Sequence, residues 1–143
     1  MQNKRHGAAA IILNDDGRVL LVKQSYGHLN WELPGGGAEL GESIVETALR
    51  EVQEETGLLV VAERTTGVYY EPVTDFLHFV FLCRRVRTEA EFQFDAEVTE
   101  CGYWSPDALP RPISDFTIQR IEDALSGASQ LLPVSIGPRQ WLK

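Results

Sequence analysis

The segment from Trp31 to Leu58, WELPGGGAELGESIVETALREVQEETGL, constrains the chain more than any other stretch. It joins three consecutive glycines to a helix whose charges work against its own stability. At about 100° per residue, Val45, Ala48, Leu49 and Val52 share one stripe, the pattern of an amphipathic helix with one face on a core. Glu51, Glu54 and Glu55 fall on a neighbouring arc at i, i+3 and i+4, where side chains meet and like charges each cost roughly 0.3 kcal/mol. Gly57 stands where a helix would stop, which places Glu54 and Glu55 near the negative end of the helix dipole. A helix serving structure alone would carry lysine there. Carboxylates converging on one point suit a hard divalent cation, Mg²⁺ or Mn²⁺, that also grips the phosphates of a substrate.

Taken alone, the helix could equally present a solvated acidic face. Its flanks favour the cation. Trp31 to Gly37 runs from apolar residues into what reads as a glycine-rich turn, where backbone groups can approach a ligand closely. Arg50 is always charged and could hold one of the carboxylates through its planar fork.

With these residues in hand the chain resembles the Nudix hydrolases. The family's box, G-x5-E-x7-R-E-U-x-E-E-x-G-U with U bulky and aliphatic, is matched at all nine fixed positions: Gly36, Glu42, Arg50, Glu51, Val52, Glu54, Glu55, Gly57 and Leu58. The box spans 23 of 143 residues, but WELPGGG is similar to the family's lead-in, and Glu97 to Pro110 resembles its late strand and short helix. The resemblance implies cleavage of a nucleoside diphosphate linked to another moiety, by water attacking phosphorus with a divalent metal present. Position by position it makes Glu51, Glu54, Glu55 and the carbonyl of Gly35 the metal ligands, and Arg50 the group that orients Glu51. Glu42 is expected at the opening of the helix in a structural role.

The general base implied by the resemblance comes from the box or from a later loop. Glu97, after the polar loop of residues 86–96, is the leading candidate and Glu100 the second. Base recognition needs aromatic faces, and Tyr26, Tyr69, Tyr70 and Phe79 are the candidates, each able to serve as core instead. Pro72, 15 residues beyond Gly57, stands close to a proline that marks ADP-ribose pyrophosphatases of the family. The tyrosine marking the dinucleoside-polyphosphate branch is missing near Thr74, Asp75 and Phe76. The expected substrate is therefore a nucleoside triphosphate or a nucleotide sugar such as ADP-ribose. A regulatory module that binds nucleotides without turnover is the rival from another class, and no box glutamate or arginine is lost here to support it. An isopentenyl-diphosphate isomerase resembles longer chains.

Length and charge bound the rest. The 143 residues suit one domain over 1–143, large enough to bury a core without disulfides. A formal net charge of −8 with no basic run argues against a grip on duplex nucleic acid. Cys83 and Cys101 sit in strand-like segments and read as buried free thiols. His6, His28 and His78 lack ligand spacing. No apolar run reaches about 18 residues, so a cytoplasmic home without membrane insertion is expected. The partner is a small nucleotide, and family habit allows a homodimer.

The periodicities predict an α/β fold, an α/β/α sandwich around a mixed β-sheet. Gly7–Leu13 and Arg18–Val22 read as a hairpin across Asn14-Asp15-Asp16-Gly17. Further strands are expected at Leu58–Arg64, Thr66–Tyr70, Phe76–Arg85 and Glu97–Trp104. A second helix starts at Ile113-Ser114-Asp115, with Ile118, Ile121 and Leu125 facing inward and Gly127 as its stop. Residues 126–143 form a tail without an assignment.

Overall fold

Alternation along β1 (His6–Ile12) sets the layers of the molecule. Successive strand residues point to opposite faces. Ala8, Ala10 and Ile12 enter one core cluster with Ala48 and Val52, while Ala9 and Ile11 enter another with Tyr69, Phe116 and Ile121. Each face of β1 is therefore closed by a different helix, α1 (Ile44–Thr56) or α2 (Asp115–Ser126). The computed structural model describes residues 5–86, 92–93, 95–127 and 132–143. The loop expected over residues 86–96 lies partly outside them, as does part of the tail.

The remaining strands are β2 (Val19–Gln24), β3 (Trp31–Glu32), β4 (Gly35–Gly37), β5 (Val60–Glu71), β6 (Phe76–Arg85), β7 (Val98–Trp104), β8 (Ile113–Ser114), β9 (Val134–Ser135) and β10 (Trp141–Leu142). They form two five-stranded sheets, β4-β1-β6-β5-β9 and β10-β8-β3-β2-β7. Each contains a parallel pair, β1 with β6 and β5 with β9 in the first, β3 with β8 in the second. The α/β/α sandwich is thus as expected, with two mixed sheets in place of one.

Several expectations change. The Asn14–Gly17 turn forms, with Asn14 Oδ1 accepting from the Asp16 and Arg18 amides, but β1 and β2 share only the bridge Leu13–Val19 and then part into different sheets. Both strands are buried on both faces, so each takes its own sheet partners. The glycines after Pro34 are an extended edge strand, not a turn: Gly35, Gly36 and Gly37 pair with Ala9, Ala8 and Gly7. The two strands predicted over residues 58–70 are one, β5, irregular at Ala62/Arg64 and Thr65/Gly67. The short helix expected after Trp104 is a turn in which the Ala108 amide donates to Ser105 O.

The helices begin and end by local chemistry. Ser43 caps α1, its hydroxyl accepting from the Glu46 amide while Glu46 accepts from the Ser43 amide, a reciprocal capping box. Glu42 consequently precedes the cap and does not open the helix. Gly57 ends α1 with a left-handed φ of 77°. Val45 is exposed, and the buried face of α1 is Thr47, Ala48, Val52, Glu55 and Thr56. In α2 Leu125 is exposed and the buried set is Phe116, Thr117, Arg120, Ile121 and Ala124. In both helices polar residues take part in the inner face, which an apolar stripe does not register. The tail is strand: β9 joins β5, β10 joins β8, and Trp141 stacks on His28 at 4.0 Å between ring centroids.

Candidate active site

The acidic face of α1 packs against β4. A Cβ on Gly36 would lie 2.7 to 2.9 Å from the Glu51 carboxylate, and one on Gly35 would lie 2.4 Å from Ala8 O. Only glycine lets the strand fit between β1 and the helix. Glu51 therefore rests directly on backbone, and the Gly35 amide points toward Glu55 Oε1 at 3.4 Å.

Arg50 organises this corner. Its Nε and Nη2 donate to the two oxygens of Glu42 at 2.6 and 3.1 Å, Nη2 also to Gly37 O at 3.1 Å, and Nη1 to Glu51 Oε1 at 2.6 Å. The Arg50 hydrogen bond holds the Glu42 carboxyl down at about 2. The guanidinium is thus in direct contact with Glu51. It also takes Glu54, whose oxygens lie 3.2 and 3.4 Å from Nη1.

The three carboxylates therefore do not converge. Glu51 and Glu55 meet and share a hydrogen bond, but Glu54, with its side chain 48 % exposed, turns to Arg50 at i−4, the nearest positive charge. Among the described residues no set of three acidic, histidine or cysteine side chains is arranged to hold an ion. Glu55 is only 5 % exposed, and burial, then Glu51, push its carboxyl up to about 10. A buried carboxylate hydrogen-bonded to a half-buried one beside a glycine strand is a donor set that a divalent cation fits.

A cleft of about 180 Å³ opens on the other side of β4, lined by Tyr26, Gly36, His78, Phe79 and Arg139 among others. Tyr26, 52 % exposed, has its hydroxyl pKa raised by burial and then by the charges of Glu97, Glu55, Glu32 and Glu51. Glu97 is exposed in the turn before β7, where its carbonyl accepts from the Ser25 amide at 2.9 Å. Glu100 is exposed further along β7, paired in register with Lys23. Of the four aromatic candidates, Tyr26 and Phe79 reach the cleft. Tyr69 does not: it is 0 % exposed, packs on Phe116 and donates to Asp123 Oδ2 at 2.6 Å. Tyr70 donates to Asp75 at 2.8 Å and is absent from the cleft wall. An inward position on β5, between the sheet and α2, consumes Tyr69 as core.

The far wall carries a cluster that the motif search missed. Glu32, on β3, accepts from Arg120 Nη2 at 2.6 Å, Arg139 Nη1 at 2.8 Å, Thr117 Oγ1 at 2.9 Å and the Leu33 amide at 2.8 Å. Burial alone would raise its pKa, but the charges of Arg120 and Arg139 outweigh that and hold it at about 2. Both guanidinium groups lie over Phe116, at 4.1 and 5.2 Å from the ring centre. A charged residue inside the apolar run Trp31-Glu32-Leu33 was the available signal. Arg139, in the tail, had none.

The chain belongs to the Nudix family: the NUDIX domain model matches residues 3–123. It is an enzyme of the pyrophosphohydrolase class that family comprises, acting on nucleoside diphosphate derivatives. A MutT-like protein of Streptomyces ambofaciens is 32% identical over 120 residues, 84% of this chain and 76% of that one. A Bacillus subtilis protein that bears the name of an 8-oxo-dGTP diphosphatase is 35% identical over 127 residues, 87% of this chain and 83% of its own. Among solved structures, an ADP-ribose pyrophosphatase from Streptococcus suis superposes with a TM-score of 0.74 at 26% identity, covering 95% of this chain and 100% of the other. Nudix hydrolases generally require a divalent metal and act on small nucleotides. No helix among the described residues is long and apolar enough to cross a membrane.

Proposed function

We propose that the chain hydrolyses a pyrophosphate bond in a nucleoside triphosphate or a nucleotide sugar such as ADP-ribose, with Mg²⁺ or Mn²⁺ held by Glu51, Glu54, Glu55 and the Gly35 carbonyl. The Glu51–Glu55 pair carries this reading, with Glu55 buried and Glu51 half-buried, joined by a hydrogen bond and set against a strand without side chains. A cation bound there would neutralise phosphate oxygens and lower the pKa of the attacking water. Arg50 keeps Glu51 in place through Nη1 and ties it to Glu42 and Gly37. Glu54 would have to leave Arg50 to join these ligands, a swing that its exposure permits. Glu97 takes the proton of the water, and Tyr26 and Phe79 flank the nucleoside in the cleft.

The test is phosphate and diphosphate release over a panel of nucleoside triphosphates and nucleotide sugars, with and without Mg²⁺, comparing wild type with Glu54→Gln. Cation-dependent release that the variant loses is expected. Equal release by both proteins on every active substrate would remove the acidic helix as the metal site.

A further inference from the structure

The cleft has a polarity that the acidic helix does not explain. Glu51 and Glu55 do not line it but lie against Gly35 and Gly36, which do. In its wall one carboxylate, Glu32, faces two guanidinium groups, Arg120 and Arg139, in a protein whose formal net charge is −8. Arg120 is buried, with its side chain 4 % exposed, and is bound to Glu32, Thr117 and Phe116 O. Arg139 differs: its side chain is 26 % exposed, it lines the cleft, and it donates only through Nη1, to Glu32 and to Ser114 Oγ at 3.2 Å. Its Nε and Nη2 have no partner among the described residues.

A second unused polar group faces the same space. His78 lines the cleft with Nε2 buried and without a hydrogen-bond partner, 3.8 Å from Glu71 Oε1. Its ring lies between Phe76 and Phe116, at centroid distances of 4.6 and 4.9 Å. A half-buried fork of free donors beside an aromatic wall fits a flat group with adjacent acceptors. Guanine presents such a pair, O6 and N7, whereas adenine places its N6 donor beside N7 and would set donor against donor. With phosphates at the carboxylates behind Gly35 and Gly36, the base is the part of a nucleotide left to reach the guanidinium groups in the cleft wall.

We propose that Arg139 is the specificity-determining residue of this cleft and selects nucleotides with a 6-oxopurine base over those with adenine. This rests on the cleft being the nucleotide site of the proposed function. Arg139 lies in the C-terminal segment, beyond residue 123, where the family match ends. The segment is held in place by β10 pairing with β8 and by the Gln140 amide donating to Asp115 Oδ1 at 2.8 Å.

Binding of GMP, AMP and inorganic phosphate to the metal-free protein, measured by calorimetry, tests this without turnover. Wild type should favour GMP by about tenfold or more, and Arg139→Gln should weaken GMP by about 10- to 100-fold while AMP stays within about twofold. Arg139→Lys keeps a positive charge beside Glu32, so the fold has its compensating cation, but it loses the fork and should lose the preference too. Equal binding of GMP and AMP by wild type, no binding of either, a preference intact in both variants, or phosphate competing as well as GMP would each overturn the proposal. A GMP preference in a protein without hydrolysis would refute the proposed reaction alone. Hydrolysis indifferent to the base would refute the role of Arg139 alone.

Discussion

Two buried carboxylates, Glu32 in the cleft wall and Glu55 by the Gly35 amide, are treated in opposite ways by the protein. Glu32 is surrounded by two guanidinium groups, a hydroxyl and an amide, which hold it ionised down to about 2. Glu55 has for neighbours another carboxylate and one distant amide, and is pushed up to about 10. Burying an ionised carboxylate is expensive unless it is paired. The first cluster is paired within the chain and locks β3 to α2 and the tail. The second has a cation on Glu51 alone, leaving Glu55 to a partner from outside. On the proposed function, one cluster is finished by folding and the other by binding.

The sharpest way to break this contrast is to neutralise the binding end. Glu51→Gln should lower turnover by about 10³-fold, about 4 kcal/mol of transition-state stabilisation, because the ion's hold on the phosphate is worth several kcal/mol. Steady-state kinetics with saturating Mg²⁺ gives the number, and a loss under tenfold would place the metal elsewhere. Stability of the metal-free protein should barely change, since the substitution relieves repulsion with Glu55.

The folded end should respond in reverse. Arg120→Met leaves Glu32 with one guanidinium and should cost about 3 kcal/mol in urea unfolding, since breaking a buried pair strands its partner. Adding Glu32→Leu should recover much of that loss. If the single variant is as stable as wild type, the cluster is not what holds β3 to α2.

Glu97 is near Tyr26, which feels its charge ahead of those of Glu55, Glu32 and Glu51. Glu97→Gln is expected to reduce turnover about 10²-fold while metal affinity stays intact, in the range of a general base. Glu100→Gln, on the exposed part of β7, should leave turnover unchanged. The reverse outcome would exchange their roles.

The binding end was legible in the sequence because its chemistry is local. Glycine spacing, Arg50 and the glutamates lie within 23 residues, and helical periodicity places them together. Glu54 escaped because its partner depends on which cation is nearest, and i,i+4 geometry gives it Arg50. The folded end was illegible because Arg120 and Arg139 are 88 and 107 residues from Glu32 in the chain, joined to it only by tertiary packing. Likewise strand alternation identified β6 over its whole length, but could not tell that β1 and β2 part into two sheets, a choice made by their other neighbours.

The smallest effect, and the one most particular to the contrast, is in the pH dependence of stability of the metal-free protein. Glu32 has a folded pKa of about 2 against an ordinary value of 4.5, so the unfolded chain binds more protons between them. Its contribution is complete above about pH 4.5 and fades as pH falls toward 2, a loss of about 2 kcal/mol from pH 7 to pH 3 that Glu32→Gln should lack. Glu55, raised to about 10, has the opposite sign: the folded state binds the extra proton, so stability declines as pH rises from 4.5 toward 10. Glu55→Gln should flatten that decline, and unfolding curves between pH 5 and about pH 9 would reveal it. Mg²⁺ should flatten it as well by binding the ionised pair, raising the melting temperature most at high pH. Parallel slopes in the two variants would mean that both carboxylates are satisfied by the protein itself, and the acidic corner would then be a second structural lock.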